Sequence, residues 1–165
     1  MRVWRLAALA LPLLLGGCAL LGGRSASAPA PAVSAPAASP PLAARTAATT
    51  DARGVVVTLT LRNTGLQEVR VRYGAQVNWG ACGSPPYVAL TRADGGPVPV
   101  PSAGGRLTCL DVLLTQFLAP GETLTLRRTL PSPGPGTYRL TAWFDGQVNG
   151  EPARVQTPPI TLEVR

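Results

Sequence analysis

The sequence predicts an all-β sandwich of about seven short strands, on three observations. From residue 52 onward, apolar and polar residues alternate with a period of two in several separate runs. Clusters of Gly, Pro, Asn and Asp, the residues of tight turns, punctuate those runs. No stretch of residues 52–165 carries the spacing of a long amphipathic helix.

Val55, Val57, Leu59 and Leu61 alternate with Val56, Thr58, Thr60 and Arg62, the pattern of a strand with one buried face. Asn63-Thr64-Gly65 is turn chemistry, and Val69, Val71 and Tyr73 then alternate with Arg70 and Arg72 in a second strand. Tyr87 to Arg92 reads as a third, closed by the turn Ala93-Asp94-Gly95-Gly96. Val98 and Val100 stand between prolines, so a strand there would lie at an edge. Leu107 to Phe117 has a mixed apolar pattern that suits a strand, a helical turn or a packed loop. Ala119-Pro120-Gly121-Glu122 is a turn, and Leu124, Leu126 and Leu130 belong to the strand after it. Pro131 to Gly136 reads as a loop, followed by Tyr138, Leu140, Ala142 and Phe144 alternating with polar residues and Trp143. A tyrosine near the start of a late strand suits a buried ring whose hydroxyl bonds backbone at a sandwich corner. Asp145-Gly146 is expected to turn the chain, and Ile160, Leu162 and Val164 form the closing strand.

Upstream of this domain the chemistry changes. Arg2 and Arg5 precede an apolar run, Leu6 to Leu15, broken only by Pro12, and then Leu15-Gly16-Gly17-Cys18. A positive start, a short apolar core and small residues before a cysteine form an export signal, and the run is too short to span a bilayer, which takes roughly 20 residues. The tetrad resembles the lipobox of bacterial lipoproteins. That resemblance implies a signal peptide over residues 1–17, cleavage before Cys18, a thioether to diacylglycerol on its thiol and an acylated amino end. Two or more acyl chains hold a protein stably at a membrane. The expected location is the cell membrane or outer membrane, with the domain facing the periplasm or the exterior.

Residues 18–51 are expected to be the lipidated cysteine and a disordered tether. From Ser25 to Pro41 every residue but Val33 is Ala, Ser or Pro, which cannot build a core. Such a segment extends as a semi-stiff spacer at about 3.1 Å per residue. Residues 52–165 would then be the folded domain.

The chain has 15 basic residues, all Arg, no His, and 8 acidic residues. Losing Arg2 and Arg5 with the signal lowers the net charge from +7 to about +5. That excess suits a solvated surface, with attraction to anionic partners as the alternative. No nucleic-acid partner is expected, because no basic run is interleaved with stacking aromatics. Cys82 and Cys109 remain once Cys18 carries lipid; an even pair in an oxidising compartment points to one disulfide, with two free buried thiols as the alternative. No metal or cofactor is expected, since the chain has no His and no Cys-x-x-Cys pair.

Leu59-Thr60-Leu61-Arg62-Asn63-Thr64-Gly65, Leu118-Ala119-Pro120-Gly121-Glu122 and Gly136-Thr137-Tyr138-Arg139-Leu140-Thr141-Ala142 together resemble the BsuPI-type proteinase inhibitor domain. The resemblance covers most of residues 52–165 and implies an immunoglobulin-like sandwich. The family's namesake is intracellular, whereas this chain carries an export signal and a cysteine pair, so inhibitory activity does not follow from the likeness.

No catalytic residue is expected. Without His or Lys the commonest general bases are missing, a Ser-His-Asp or Cys-His arrangement is impossible, and no spacing brings carboxylates such as Asp94 and Asp111 together. The best candidate contact loop runs from Trp79 through Cys82, Ser84, Pro85 and Pro86 to Tyr87. A disulfide and two prolines would stiffen it, and Trp and Tyr favour contact centres; the competing reading has Trp79 and Tyr87 packing beneath it. The expected function is a lipid-anchored, non-enzymatic binding module with an envelope protein as partner. A protease inhibitor presenting the Cys82-braced loop is the alternative.

Overall fold

The computed structural model describes residues 40–51, 53–101 and 107–165. The expected signal peptide, Cys18 and most of the expected tether lie outside them. Residues Ala38–Arg165 form one compact unit. It is all-β: every element among the described residues is a strand.

One sheet is made of β1 (Leu42–Asp51), β2 (Gly54–Asn63) and β8 (Thr123–Leu130), in the order β1-β2-β8 and antiparallel throughout. Strand β1 corrects the boundary expected at residue 52. Its residues pair with β2 from Leu42↔Asn63 to Asp51↔Gly54. The composition is poor in large apolar groups, yet the alternation is present: Leu42, Ala44, Thr46 and Ala48 turn inward while Ala43, Arg45 and Ala47 face out. Backbone pairing along one side of β2 holds the strand, and the short side chains only have to fit.

The second sheet is built on β9 (Gly136–Val148). On one side of it lie β3 (Val69–Tyr73) and β6 (Tyr87–Arg92), which pair with it in succession, β3 from Val71↔Val148 to Arg72↔Gln147 and β6 from Tyr87↔Trp143 to Arg92↔Tyr138. They are two halves of one strand line, interrupted by a small hairpin of β4 (Gln76–Asn78) and β5 (Ala81–Gly83). On the other side, β10 (Glu151–Gln156) and β11 (Ile160–Val164) are likewise two halves of one line. Strand β7 (Leu114–Leu118) pairs with the outer side of β3. The eleven segments therefore trace seven strand lines besides the inserted hairpin, three in one sheet and four in the other, the immunoglobulin-like arrangement.

Two expectations about turns divide. Ala119 to Glu122 turns the chain as expected: Gly121 takes φ 80°, and the Glu122 backbone N–H donates to the Ala119 carbonyl at 3.0 Å. Asp145-Gly146 does not turn; it lies inside β9. A side chain at Gly146 would run into the Arg72 backbone and the Phe144 ring, so this glycine permits close strand approach. The turn falls instead at Asn149-Gly150, with φ 55° and 95°, the signature of a two-residue hairpin. Val98 is buried, but its proline-flanked segment makes only the isolated bridge Thr91↔Pro97.

The inner faces meet in two apolar clusters. Val55, Val57 and Leu130 face Val88, Leu90, Leu140, Ala142 and Leu162 in one; Leu59, Leu61 and Leu126 face Val69, Val71, Phe144 and Val148 in the other. Fully buried Asn63 closes one end. Its side-chain amide donates to the carbonyls of Gln67 at 2.8 Å and Leu118 at 2.9 Å, and its oxygen accepts from the Gly65 N–H at 2.8 Å. At the other end the Tyr138 hydroxyl is shared between the carbonyls of Pro133 at 3.1 Å and Gly134 at 3.0 Å, as its place at a strand start implies.

Candidate interaction surface

The loop singled out in the sequence is pinned as expected and faces the other way. Cys82 and Cys109 form a disulfide, with Cα atoms 5.4 Å apart across 27 positions. Trp79, in the turn between β4 and β5 at φ 55°, is buried in the first core cluster. Pro85, Pro86 and Tyr87 are buried and Ser84 is half-buried. The Tyr87 hydroxyl donates to the Gly74 carbonyl at 2.8 Å. Trp79, Pro85, Pro86 and Tyr87 therefore do not act as exposed contact anchors. The two ends of the insertion must rejoin one strand line, and folding their large apolar surfaces inward secures it. Burial, reinforced by Asp145 and opposed by Arg128, pushes the Tyr87 phenol up to about 12.

The hairpin is stitched to the opposite sheet by half-buried Arg128 of β8, whose guanidinium donates to the carbonyls of Asn78 and Ala81. Desolvation lowers the Arg128 pKa, with nearby Tyr87 acting in the opposite sense. The Asn78 side chain brackets Val88, donating to its carbonyl at 3.1 Å and accepting its N–H at 3.0 Å.

What the disulfide brings to the surface is its other arm. Leu107, Leu110, Val112 and Leu113 are exposed along a strand-free stretch, Leu110 at 80%, and Val77 of the hairpin is exposed as well. The exposed apolar run continues into β7 with Leu114 and Phe117. Only Leu118 of β7 is buried. The sequence left Leu107 to Phe117 ambiguous because these side chains serve neither sheet face as core.

Among the described residues β7 pairs with β3 alone, so its far side is an open sheet edge. Val112 to Ala119 contains no charged residue and no proline. Native edges are usually protected by charge, proline or a bulge. On the outer face of this sheet Phe117 lies opposite Arg70 and Thr115 opposite Arg72. The Arg72 guanidinium donates to the Gln147 side-chain oxygen at 3.5 Å. Farther along that face the Arg154 guanidinium stands 4.5 Å from the centre of the Trp143 ring. Arg62 belongs to the other sheet.

A cleft of about 350 Å³ lies where β3 runs into the hairpin, lined by Arg72, Tyr73, Gln76, Asp111, Leu113 and Asp145. Asp94 lines a different cleft with Tyr138, so Asp94 and Asp111 do not share one. Among the described residues no three His, Cys, Asp or Glu side chains are grouped so as to hold a metal, and no helix is long and apolar enough to cross a membrane.

No family model matches the chain, and no curated protein does either. Among solved structures, a Bordetella pertussis protein described as ApaA is similar at 23% identity over 76% of this chain and 96% of its own, with a TM-score of 0.36. So loose a superposition supports no conclusion about activity.

Proposed function

We propose that this chain is a lipid-anchored, non-enzymatic binding module of the cell envelope. It is held in the cell or outer membrane through Cys18, with the sandwich facing the periplasm or exterior on its Ala/Pro/Ser spacer. The lipobox-like tetrad supports the anchor, and the spacer suits a domain that works away from the bilayer surface. The observation that carries the binding role is the uncharged open edge of β7, continuous with exposed Leu110, Val112 and Leu113. An exposed apolar patch on an unprotected edge marks a surface that works covered.

The test is a photo-crosslinking amino acid at position 117, a site exposed in the free domain. Irradiated cells should yield one discrete adduct in the membrane fraction, and a Cys18→Ser variant should leave that fraction. An envelope with no adduct at this position removes the reading. A second reading, protease inhibition, draws support from the exposed Leu110, one residue past the disulfide. No inhibition of a panel of secreted proteases at micromolar protein would end it.

A further inference from the structure

We infer that the open edge of β7 takes up an extended polypeptide segment in which acidic and apolar side chains alternate, adding it as a further strand; this rests on the binding role proposed above. The backbone sets the class of partner. An open edge presents a row of unpaired N–H and C=O groups, which only another extended backbone can match group for group. Lipid tails offer no such groups, so sinking this edge into a bilayer would strand them. The chain's own spacer is a poor occupant: Pro29, Pro31, Pro36, Pro40 and Pro41 have no N–H to donate.

The side chains set its character. An added strand would lie about 4.8 Å beyond β7 and roughly 10 Å from β3. Its outward side chains would neighbour Thr115 and Phe117, with Arg72 and Arg70 directly behind them. Thr115 is short, so the long Arg72 side chain, which points towards Gln147 in the free domain, can swing across it to a carboxylate on the added strand. Its inward side chains would cover Leu114, 44% exposed, next to buried Tyr73. The two faces thus ask for acidic groups outward and apolar groups inward. A second copy of β7 meets only half of this. It brings another Arg70 and Arg72 to the same face, and its residues from Val112 to Ala119 supply no carboxylate.

The experiment uses the full lipidated chain in detergent micelles and short fluorescent peptides. A peptide alternating Val and Glu should bind saturably, and more weakly as salt rises. Binding should fall at least tenfold when alternate peptide amides are N-methylated, and at least tenfold when Lys replaces Glu in the peptide. Thr115→Glu in the protein should weaken the Val/Glu peptide about tenfold and Arg72→Gln several-fold. Both positions lie outside the core clusters, so unchanged circular dichroism and melting should accompany the loss. The inference is overturned by no saturable binding at millimolar peptide, or by equal binding of the N-methylated or Lys peptide. It is equally overturned if the free protein self-associates and Thr115→Glu abolishes that, or if it binds phosphatidylglycerol vesicles through β7 and not the peptide. If peptide binding fails while the position-117 adduct persists in cells, strand addition falls and the binding module stands. If both fail, both fall.

Discussion

Replacing Asn63 with Leu keeps the branched outline of the side chain, adds some bulk at a fully buried site and removes all its hydrogen bonding. The buried partner is the Leu118 carbonyl, and leaving such a group unpaired costs about 1–3 kcal/mol. The Gln67 carbonyl and the Gly65 N–H are only partly buried, so water recovers some of their loss, and about 0.5–1 kcal/mol each is reasonable. The sum is about 3 kcal/mol, a large share of the roughly 5–15 kcal/mol that holds a domain folded. Urea unfolding followed by tryptophan fluorescence should show the midpoint drop with the slope unchanged. Asn63→Asp sharpens the test. It keeps the acceptor and removes both donors, placing a carboxylate against two carbonyls. At neutral pH it should cost at least as much as Asn63→Leu, and in acid it should recover partly, because the protonated carboxyl again has one proton to donate. A loss below about 1 kcal/mol for Asn63→Leu, or no acid recovery for Asn63→Asp, would refute the role given to this side chain.

Tyr138→Phe removes one hydroxyl shared between two carbonyls and should cost about 1–2 kcal/mol in the same assay. Replacing Cys82 and Cys109 together by Ser frees a loop spanning 27 positions and should cost roughly 3–4 kcal/mol by loop-closure entropy; hydrogen exchange should also quicken between residues 107 and 113. Tyr87 gives a pH signature. Its folded pKa, about 12, lies above the ordinary value of 10, so the fold favours the neutral phenol. That contribution is complete below pH 10 and is lost as pH rises towards 12, so Tyr87→Phe should flatten the alkaline fall in stability over this window.

The strands that build the core were legible because their side chains obey the pleat. Val55 to Leu61, Val69 to Tyr73 and Tyr138 to Phe144 alternate in sequence and bury the expected face. Strand β1 was not legible, because Ala and Thr give too weak an apolar contrast when backbone pairing supplies the ordering. Strand β10 hid behind Pro152, which an edge position tolerates. Asp145-Gly146 misled because glycine serves close packing as well as turns, and only the neighbouring strand distinguishes the two. The loop from Trp79 to Tyr87 was open to two readings for a related reason. Trp79 and Tyr87 are types that suit both interfaces and cores, and the sequence does not tell which way an insertion folds. The uncharged run from Val112 to Ala119 was the available signal, and it becomes informative once β7 is known to lie at an edge.

Strand β9 holds partners drawn from both directions along the chain, since β3 and β6 come long before it and β10 and β11 follow it. As the polypeptide is made from its amino end, the β1-β2 hairpin has its pieces early, whereas the larger sheet has no spine until Val148 has appeared. Assembly must then close contacts across most of the domain at once, the circumstance that makes β proteins slow to fold. A ribosome-bound chain halted before Gly136 should therefore display β7 beside an unfinished body, vulnerable to sticking and in need of a chaperone's cover.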